Sequence, residues 1–429
     1  MRATVGKTTG FMLKVAPNAA SQNRQPQQPQ QQQPTLANLA SNFSVRIQIQ
    51  KGKGEDLPAN VGLLRIPFSF VLSSLPPTPS CSFYQIEVHE GDQMVTVSYL
   101  PPKTGVLHIE ARLRDQMIPG FPTKVVVSKD YTLERVTMTV VPDNNTFNEP
   151  YMAFPLRTTL LVSDMMSSRV VEIDKSTFEV VRILGSETGV NLLYPRAIGK
   201  MPGAGGELLI VDSGNNRVVM LSGDGKNVLR YLGGSGPGEN GSGSKNGELN
   251  KPRGVLALPD ERILVCDTEN CRLQTFDKTG RHLQSVGSRG EEPRQFKFPL
   301  NAALSPVGDE IAVTDSDNFR VQFFDLNLKY LGEIGRVGDD ESVGAGGRRK
   351  CQLLKPIGVA YDLAGNLIVS ELDGHRLRVF SREKQLISTI GSAGQSENYS
   401  FMQPRGVTVD EDGTIFVADT ANKAIKMIY

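Results

Sequence analysis

Six segments of this chain share one frame, and no other feature restricts the possible folds so strongly. They are Leu160–Asp164, Leu208–Asp212, Ile263–Asp267, Ile311–Asp315, Leu367–Glu371 and Ile415–Asp419. Each is a short apolar run that ends on an acid. Successive acids stand 48, 55, 48, 56 and 48 residues apart. Five residues beyond the acid come Arg169, Arg217, Arg272, Arg320 and Arg376, while the sixth copy has Ala424 there.

The surroundings of the copies repeat as well. A Pro opens a short strand, as in Pro252–Val255 and Pro404–Val407. A tight turn such as Asp410–Gly413 precedes the acid-terminated strand. The Arg-led strand follows, then a second turn such as Asp277–Gly280 and a strand ending near Gly287. This order predicts a four-stranded antiparallel meander per repeat. One such sheet cannot bury both faces alone, so six of them packed radially give a six-bladed β-propeller over 131–429. The sixth repeat reaches Tyr429 within its third strand. Val136–Val140 alternates apolar and polar residues, and is expected to supply the missing outer strand and close the ring. The inner strand of the first blade is expected near Tyr151–Leu156.

The pattern Pro-x-Gly-Val followed by Val-x-Asp-x-x-Asn-x-Arg-Val resembles the NHL repeat. Asp212-Ser-Gly-Asn-Asn-Arg217 and Asp315-Ser-Asp-Asn-Phe-Arg320 carry its Asp, Asn and Arg. Upstream, Val95–Tyr99 and Leu107–Leu113 alternate with a period of two, and Val125–Val127 follows. Short strands so spaced predict a β-sandwich over 43–130. Gly91–Val127 resembles the second half of a filamin-type immunoglobulin-like repeat. Its Ile118-Pro-Gly-Phe-Pro122 has Phe121 where that family has Ser. A filamin-type repeat followed by an NHL propeller is similar to the C-terminal half of the tripartite-motif NHL proteins. The expected fold class is therefore all-β, an immunoglobulin-like domain followed by the propeller. RING and B-box zinc sites need clustered Cys and His, and residues 1–42 contain neither. The ligase activity that the resemblance implies is therefore not expected of this chain.

Residues 20–42 are rich in Gln and Pro and cannot build a core, so 1–42 reads as a disordered tail. Four cysteines with no C-x-x-C pair indicate neither a zinc module nor a disulfide framework. No signal peptide or membrane-length apolar run is evident, and a reducing, cytoplasmic setting is expected. A net charge of +1 gives no bulk charge that would mark a nucleic-acid or membrane protein, and no DNA partner is expected.

The paired acids and arginines, Asp164 with Arg169, Asp212 with Arg217, Asp267 with Arg272, Asp315 with Arg320 and Glu371 with Arg376, face each other across a loop. Repeated positions of this sort are read as a device that fixes loop geometry. In an up-and-down blade, the turn after the second strand and the interblade loop emerge on one face. The five interblade loops carry a net charge of +4. That face is predicted to hold Arg196, Lys251, Arg253, Arg294, Lys297, Lys355 and Arg405, with Arg348–Lys350 in a Gly-rich loop. Tyr194, Phe319, His375, Asn216 and Asn318 share it, and Phe298 is assigned to the core. Cations interleaved with aromatics suit single-stranded RNA, and the resemblance points the same way, since several NHL propellers of that family bind RNA on this face. A protein-recognition scaffold, one that partners a full-length tripartite-motif ligase, is the alternative. The opposite face, with Asp260, Glu261, Asp309, Glu310, Asp362 and Asp410, reads as acidic. Related propellers include a zinc-dependent amidating lyase and calcium-dependent lactonases. Here only His282 and His375 lie in the propeller, on opposite faces. Neither a metal, a cofactor nor a catalytic residue is expected.

Overall fold

In the computed structural model, the described residues are 147–184, 189–233, 242–335, 353–394 and 400–428, together with the backbone of ten strands N-terminal to them. The chain divides into two compact units, Met1–Val127 and Ser128–Tyr429.

In the first unit the described strands form two antiparallel sheets. In one, Phe11–Pro17 pairs along Val45–Lys51, which also pairs with Met94–Tyr99, and Gln85–His89 flanks Met94–Tyr99. In the other, Gly105–Leu113 lies between Phe68–Ser73 and Thr123–Val127. The Gln/Pro-rich segment 20–42 and Ile118–Pro122 lie outside the described residues, as do Arg348–Lys350 of the second unit.

The second unit is a six-bladed propeller of four-stranded antiparallel sheets. Blade 1 has strands Pro150–Pro155, Thr159–Asp164, Arg169–Asp174 and Val180–Leu184. Blade 2 has Pro195–Lys200, Leu208–Asp212, Arg217–Leu221 and Val228–Gly233. Blade 3 has Gly254–Ala257, Ile263–Asp267, Arg272–Phe276 and His282–Val286. Blade 4 has Pro299–Leu304, Ile311–Asp315, Arg320–Phe324 and Tyr330–Ile334. Blade 5 has Pro356–Tyr361, Leu367–Glu371, Arg376–Phe380 and Leu386–Ile390. Blade 6 takes Pro404–Val409, Ile415–Asp419 and Ala424–Ile428 from the end of the chain. Its outer strand is Met138–Val140, which pairs Met138 with Ile428 and Val140 with Lys426. The ring is therefore closed by an N-terminal strand, which covers the edge that Ala424–Ile428 would otherwise expose.

The burial pattern explains why the second strands are continuous apolar runs. Every residue of Leu208–Asp212, Ile263–Asp267 and Ile311–Asp315 is buried, because each blade is covered on both faces by its neighbours. The outer strands of blades 3 and 4 are instead only partly covered, with full burial at their last residues, Val286 and Ile334. Core side chains interlock between adjacent blades. At the closure, Leu160, Val162 and Val171 of blade 1 pack against Phe416, Ala418 and Ile425 of blade 6. The innermost strands touch in sequence around the axis, and blade 6 returns to blade 1.

Candidate nucleic-acid interface

Each second strand ends on a carboxylate with no exposure, and that carboxylate joins two loops. The Asp267 Oδ1 accepts the Asn250 amide at 2.7 Å from the preceding interblade loop. Its Oδ2 accepts from Asn270 Nδ2 at 2.9 Å and from Arg272 Nε at 2.7 Å. The Arg272 guanidinium continues to the carbonyls of Lys245 and Glu248. Equivalent bonds recur around the ring. Leu193, Lys297, Leu354 and Met402 amides meet Asp212, Asp315, Glu371 and Asp419. Asp164 accepts the amides of Asn148 and Glu149, both at 3.0 Å. The ion pairs Asp164–Arg169, Asp212–Arg217, Asp315–Arg320 and Glu371–Arg376 measure 3.2, 2.7, 3.0 and 2.5 Å. Charge-assisted bonds of this length, shielded from water, hold both loops to the strand ends. Burial pushes the Asp212 carboxyl above its ordinary value, while Asn215, the Leu193 amide and Arg217 work against that.

Blade 6 replaces its absent arginine in a different place. Lys426 stands 7 residues after Asp419, in the third strand, and its Nζ lies 3.0 Å from Asp419 Oδ2. It also donates to the Ser400 carbonyl and covers the Phe401 ring. The same third-strand position carries Gln274 and Gln322, which donate to Asp267 and Asp315. Comparison of that position across the repeats would have revealed Lys426 from the sequence.

These hubs support unusual backbone. The last residue of the turn after the second strand is left-handed in every blade: Ser168, Asn216, Cys271, Phe319, His375 and Lys423, with φ between 50 and 56°. In four blades the turn is a short 3-10 segment capped by that residue. Tyr194, Lys251, Lys355 and Gln403, each just before the blade-opening Pro, are left-handed too. Left-handed non-glycine residues each cost roughly 1–2 kcal/mol, so their recurrence requires compensating contacts. Those contacts run from one blade to the next. Asn216 Oδ1 accepts the Lys251 amide at 2.9 Å, and His375 Nδ1 accepts the Gln403 amide at 3.0 Å.

The two sets of residues form a rim on one face. Tyr194 and Phe319 present exposed aromatic rings there, at 41% and 36% exposure. Lys251, Arg294 and Lys423 are exposed cations. Lys297 pairs with Glu291, and Lys355 lies 3.8 Å from Asp373, so these two are partly neutralised. Asn216 is buried and its carboxamide oxygen is committed to Lys251, which makes it a support for the rim. Asn318 is similarly used, donating to Asp315 and the Gly290 carbonyl.

Arg196, Arg253 and Arg405 leave the rim and converge on the axis. Each follows a blade-opening Pro, at the position occupied by Tyr151, Leu300 and Ile357 in the other blades. Six equivalent positions therefore surround the axial end, three of them Arg, one Tyr and two aliphatic. The Arg196 and Arg405 guanidiniums lie 4.9 and 5.7 Å from the Tyr151 ring centre, and Arg253 lies 4.5 Å from that of Phe298. Phe298 is only partly buried and serves as the platform for this cation. Burial, and then the like charge of Arg196, pull the Arg253 ionisation down from 12.5 to about 10. Burial also lowers that of Arg405. Tyr151 was legible as a site residue only by aligning it with the arginines that follow Pro195, Pro252 and Pro404.

On the opposite face the acids are largely spoken for. Asp260 pairs with Arg262, Glu261 with Lys278, Glu310 with Lys384 and the Tyr361 hydroxyl, and Asp410 with Lys175. His282 lies in an outer strand, where it meets Ser285. Among the described residues, no group of three or more His, Cys, Asp or Glu is placed to hold a metal ion.

The second unit is a six-bladed propeller, and the NHL repeat model matches two stretches of it, residues 249–276 and 401–426. The chain is 38% identical over 63 residues to RING finger protein nhl-1 of Caenorhabditis elegans, covering 15% of this chain and 6% of that protein. It is 36% identical over 62 residues to Protein brain tumor of Drosophila melanogaster, covering 14% and 6%. The chain thus spans only a small part of the length of either relative. Among solved structures, a Bacteroides thetaiotaomicron protein of unknown function matches with a TM-score of 0.53 and 14% identity, over 90% of this chain and 94% of that one. A gluconolactonase from Xanthomonas campestris matches with a TM-score of 0.50 and 16% identity, over 69% and 90%. At such identities the likeness is one of fold.

Proposed function

We propose that this protein is a non-catalytic binding platform that takes single-stranded RNA on the rim of its propeller and acts in post-transcriptional regulation in the cytoplasm. The 43–130 segment is read as a filamin-type immunoglobulin-like domain that accompanies the propeller. The observation that carries the RNA reading is the pairing of exposed aromatic rings with exposed cations on one rigid face. Tyr194 and Phe319 offer stacking surfaces, while Lys251, Arg294 and Lys423 stand on the same rim. Bases stack on such rings and phosphates meet the cations, whatever the sequence of the strand.

The test is binding of a random single-stranded RNA library to the full chain, followed by titration of an enriched sequence. Three to four phosphate contacts give a slope of log affinity against log salt of about −2 to −3. Tyr194→Ala or Phe319→Ala removes about 1–3 kcal/mol of stacking. Lys251→Glu combined with Arg294→Glu is expected to weaken all sequences alike and flatten the slope. Absence of enrichment at low salt would sink the reading.

A protein partner is the second reading. It is favoured by the apolar side chains that outer strands expose, among them Val181 at 54% and Leu331 at 52%. Scattered exposed apolar groups are common on protein surfaces, so the rim remains the stronger argument.

A further inference from the structure

The axial end of the propeller holds more positive charge than its own neighbours satisfy. Arg196, Arg253 and Arg405 come from blades 2, 3 and 6, yet they influence one another electrostatically. The acids near them are few. Glu149 Oε2 lies 4.0 Å from Arg405, beyond hydrogen-bond reach, and Glu269 acts on Arg253 at longer range. The Nε atoms of all three arginines are buried without a hydrogen-bond partner, and so is Nη1 of Arg196. At the centre, Tyr151 is 2% exposed, and its hydroxyl also has no partner. A buried hydroxyl left unpaired costs about 1–3 kcal/mol. Such a group in a native protein points to something that completes it.

We propose that Arg196, Arg253, Arg405 and Tyr151 form an axial site for a phosphomonoester. The number of donors decides the ligand chemistry. A phosphomonoester carries about −1.5 to −2 charges at neutral pH and three strong acceptor oxygens. Three guanidiniums match three oxygens, whereas a carboxylate or a phosphodiester offers two. The phosphate neutralises the mutual repulsion of the three cations, and the Tyr151 hydroxyl donates to the ester. Leu300 and Ile357, on the remaining arc, are 1% and 7% exposed and offer an apolar wall to the rest of the ligand. The phosphate has two possible sources, a free phosphorylated metabolite or the 5′ end of an RNA strand whose body follows the rim. The second source rests on the RNA reading above. The site itself does not.

The test uses the full chain and inorganic phosphate as the probe, with chloride at matched ionic strength as the control. Phosphate at 10 mM is expected to raise the melting temperature of the native protein by several degrees. Arg196→Met combined with Arg253→Met should abolish that rise. Tyr151→Phe, which keeps the ring and its packing, should weaken phosphate binding about tenfold, and it serves if the double variant fails to fold. A matched pair of oligonucleotides then separates the sources. A 5′-phosphorylated strand binding at least tenfold tighter than its 5′-hydroxyl twin assigns the site to an RNA end. Equal binding, with the phosphate effect intact, assigns it to a free phosphomonoester. No phosphate effect and no preference for the 5′ phosphate would overturn the proposal, while failure of both strands to bind, with the phosphate effect intact, tells only against the RNA reading.

Discussion

Replacing Arg253 by Met should make the unliganded propeller more stable, because the native guanidinium is held in a place that disfavours its charge. Burial and the neighbouring Arg196 pull its ionisation from 12.5 to about 10. One pH unit of displacement corresponds to about 1.4 kcal/mol, so the charged form is strained by about 3 kcal/mol. The sign follows from proton counting. Between pH 10 and 12.5 the unfolded chain holds the proton and the folded one releases it, so stability rises with pH across that window. Below pH 10 the penalty is present in full, which includes neutral pH. Met keeps an aliphatic stem over the Phe298 ring but forfeits the cation–π contact, worth about 1–2 kcal/mol when desolvated. The balance is a gain of about 1–2 kcal/mol. For a domain of this size, that is a rise of about 2–4 °C in melting temperature. The measurement is calorimetry or urea unfolding at pH 7 in a buffer free of phosphate and sulfate. Arg405→Met, with Glu149 at 4.0 Å, should gain less. A loss of 1 kcal/mol or more in Arg253→Met would show that this guanidinium stabilises the resting protein, and the reasoning from desolvation would be wrong.

Three further outcomes are expected. Asp267→Asn leaves Arg272 buried without its carboxylate, and urea unfolding should show a loss of about 3–5 kcal/mol. Lys426→Met strands the unexposed Asp419 in the same manner, and urea unfolding should show a comparable loss. Thr139→Pro breaks the ladder opposite Met427 and bares the edge of Ala424–Ile428. Light scattering at elevated temperature should report earlier aggregation, with stability lower by about 1–3 kcal/mol.

The sequence by itself determined the repeat, and with it the number of blades. A fully buried second strand must be apolar throughout, so runs such as Ile263–Asp267 announce themselves without any knowledge of their neighbours. The acid at the end of each run and the arginine five residues on are local partners across one turn, and local partners are readable from spacing. The closing role of Val136–Val140 was legible for a related reason. Alternation marked it as a strand, and the sixth repeat lacked one. Only the tertiary structure decided what the ring brings together. Arg196, Arg253 and Arg405 read as members of one basic surface, but their place at the start of the innermost strands turns them toward the axis. There they meet Tyr151, which is separated from Arg405 by most of the chain. Asn216 looked available to a ligand until the left-handed turn aimed it at the next blade. Lys426 took over from the missing arginine because a side chain two residues further along the strand reaches the same carboxylate. Periodicity reports which positions are equivalent. Which of them share water, an ion partner or an axis depends on how six sheets close, and that closure links residues too far apart in the chain for any local pattern to record.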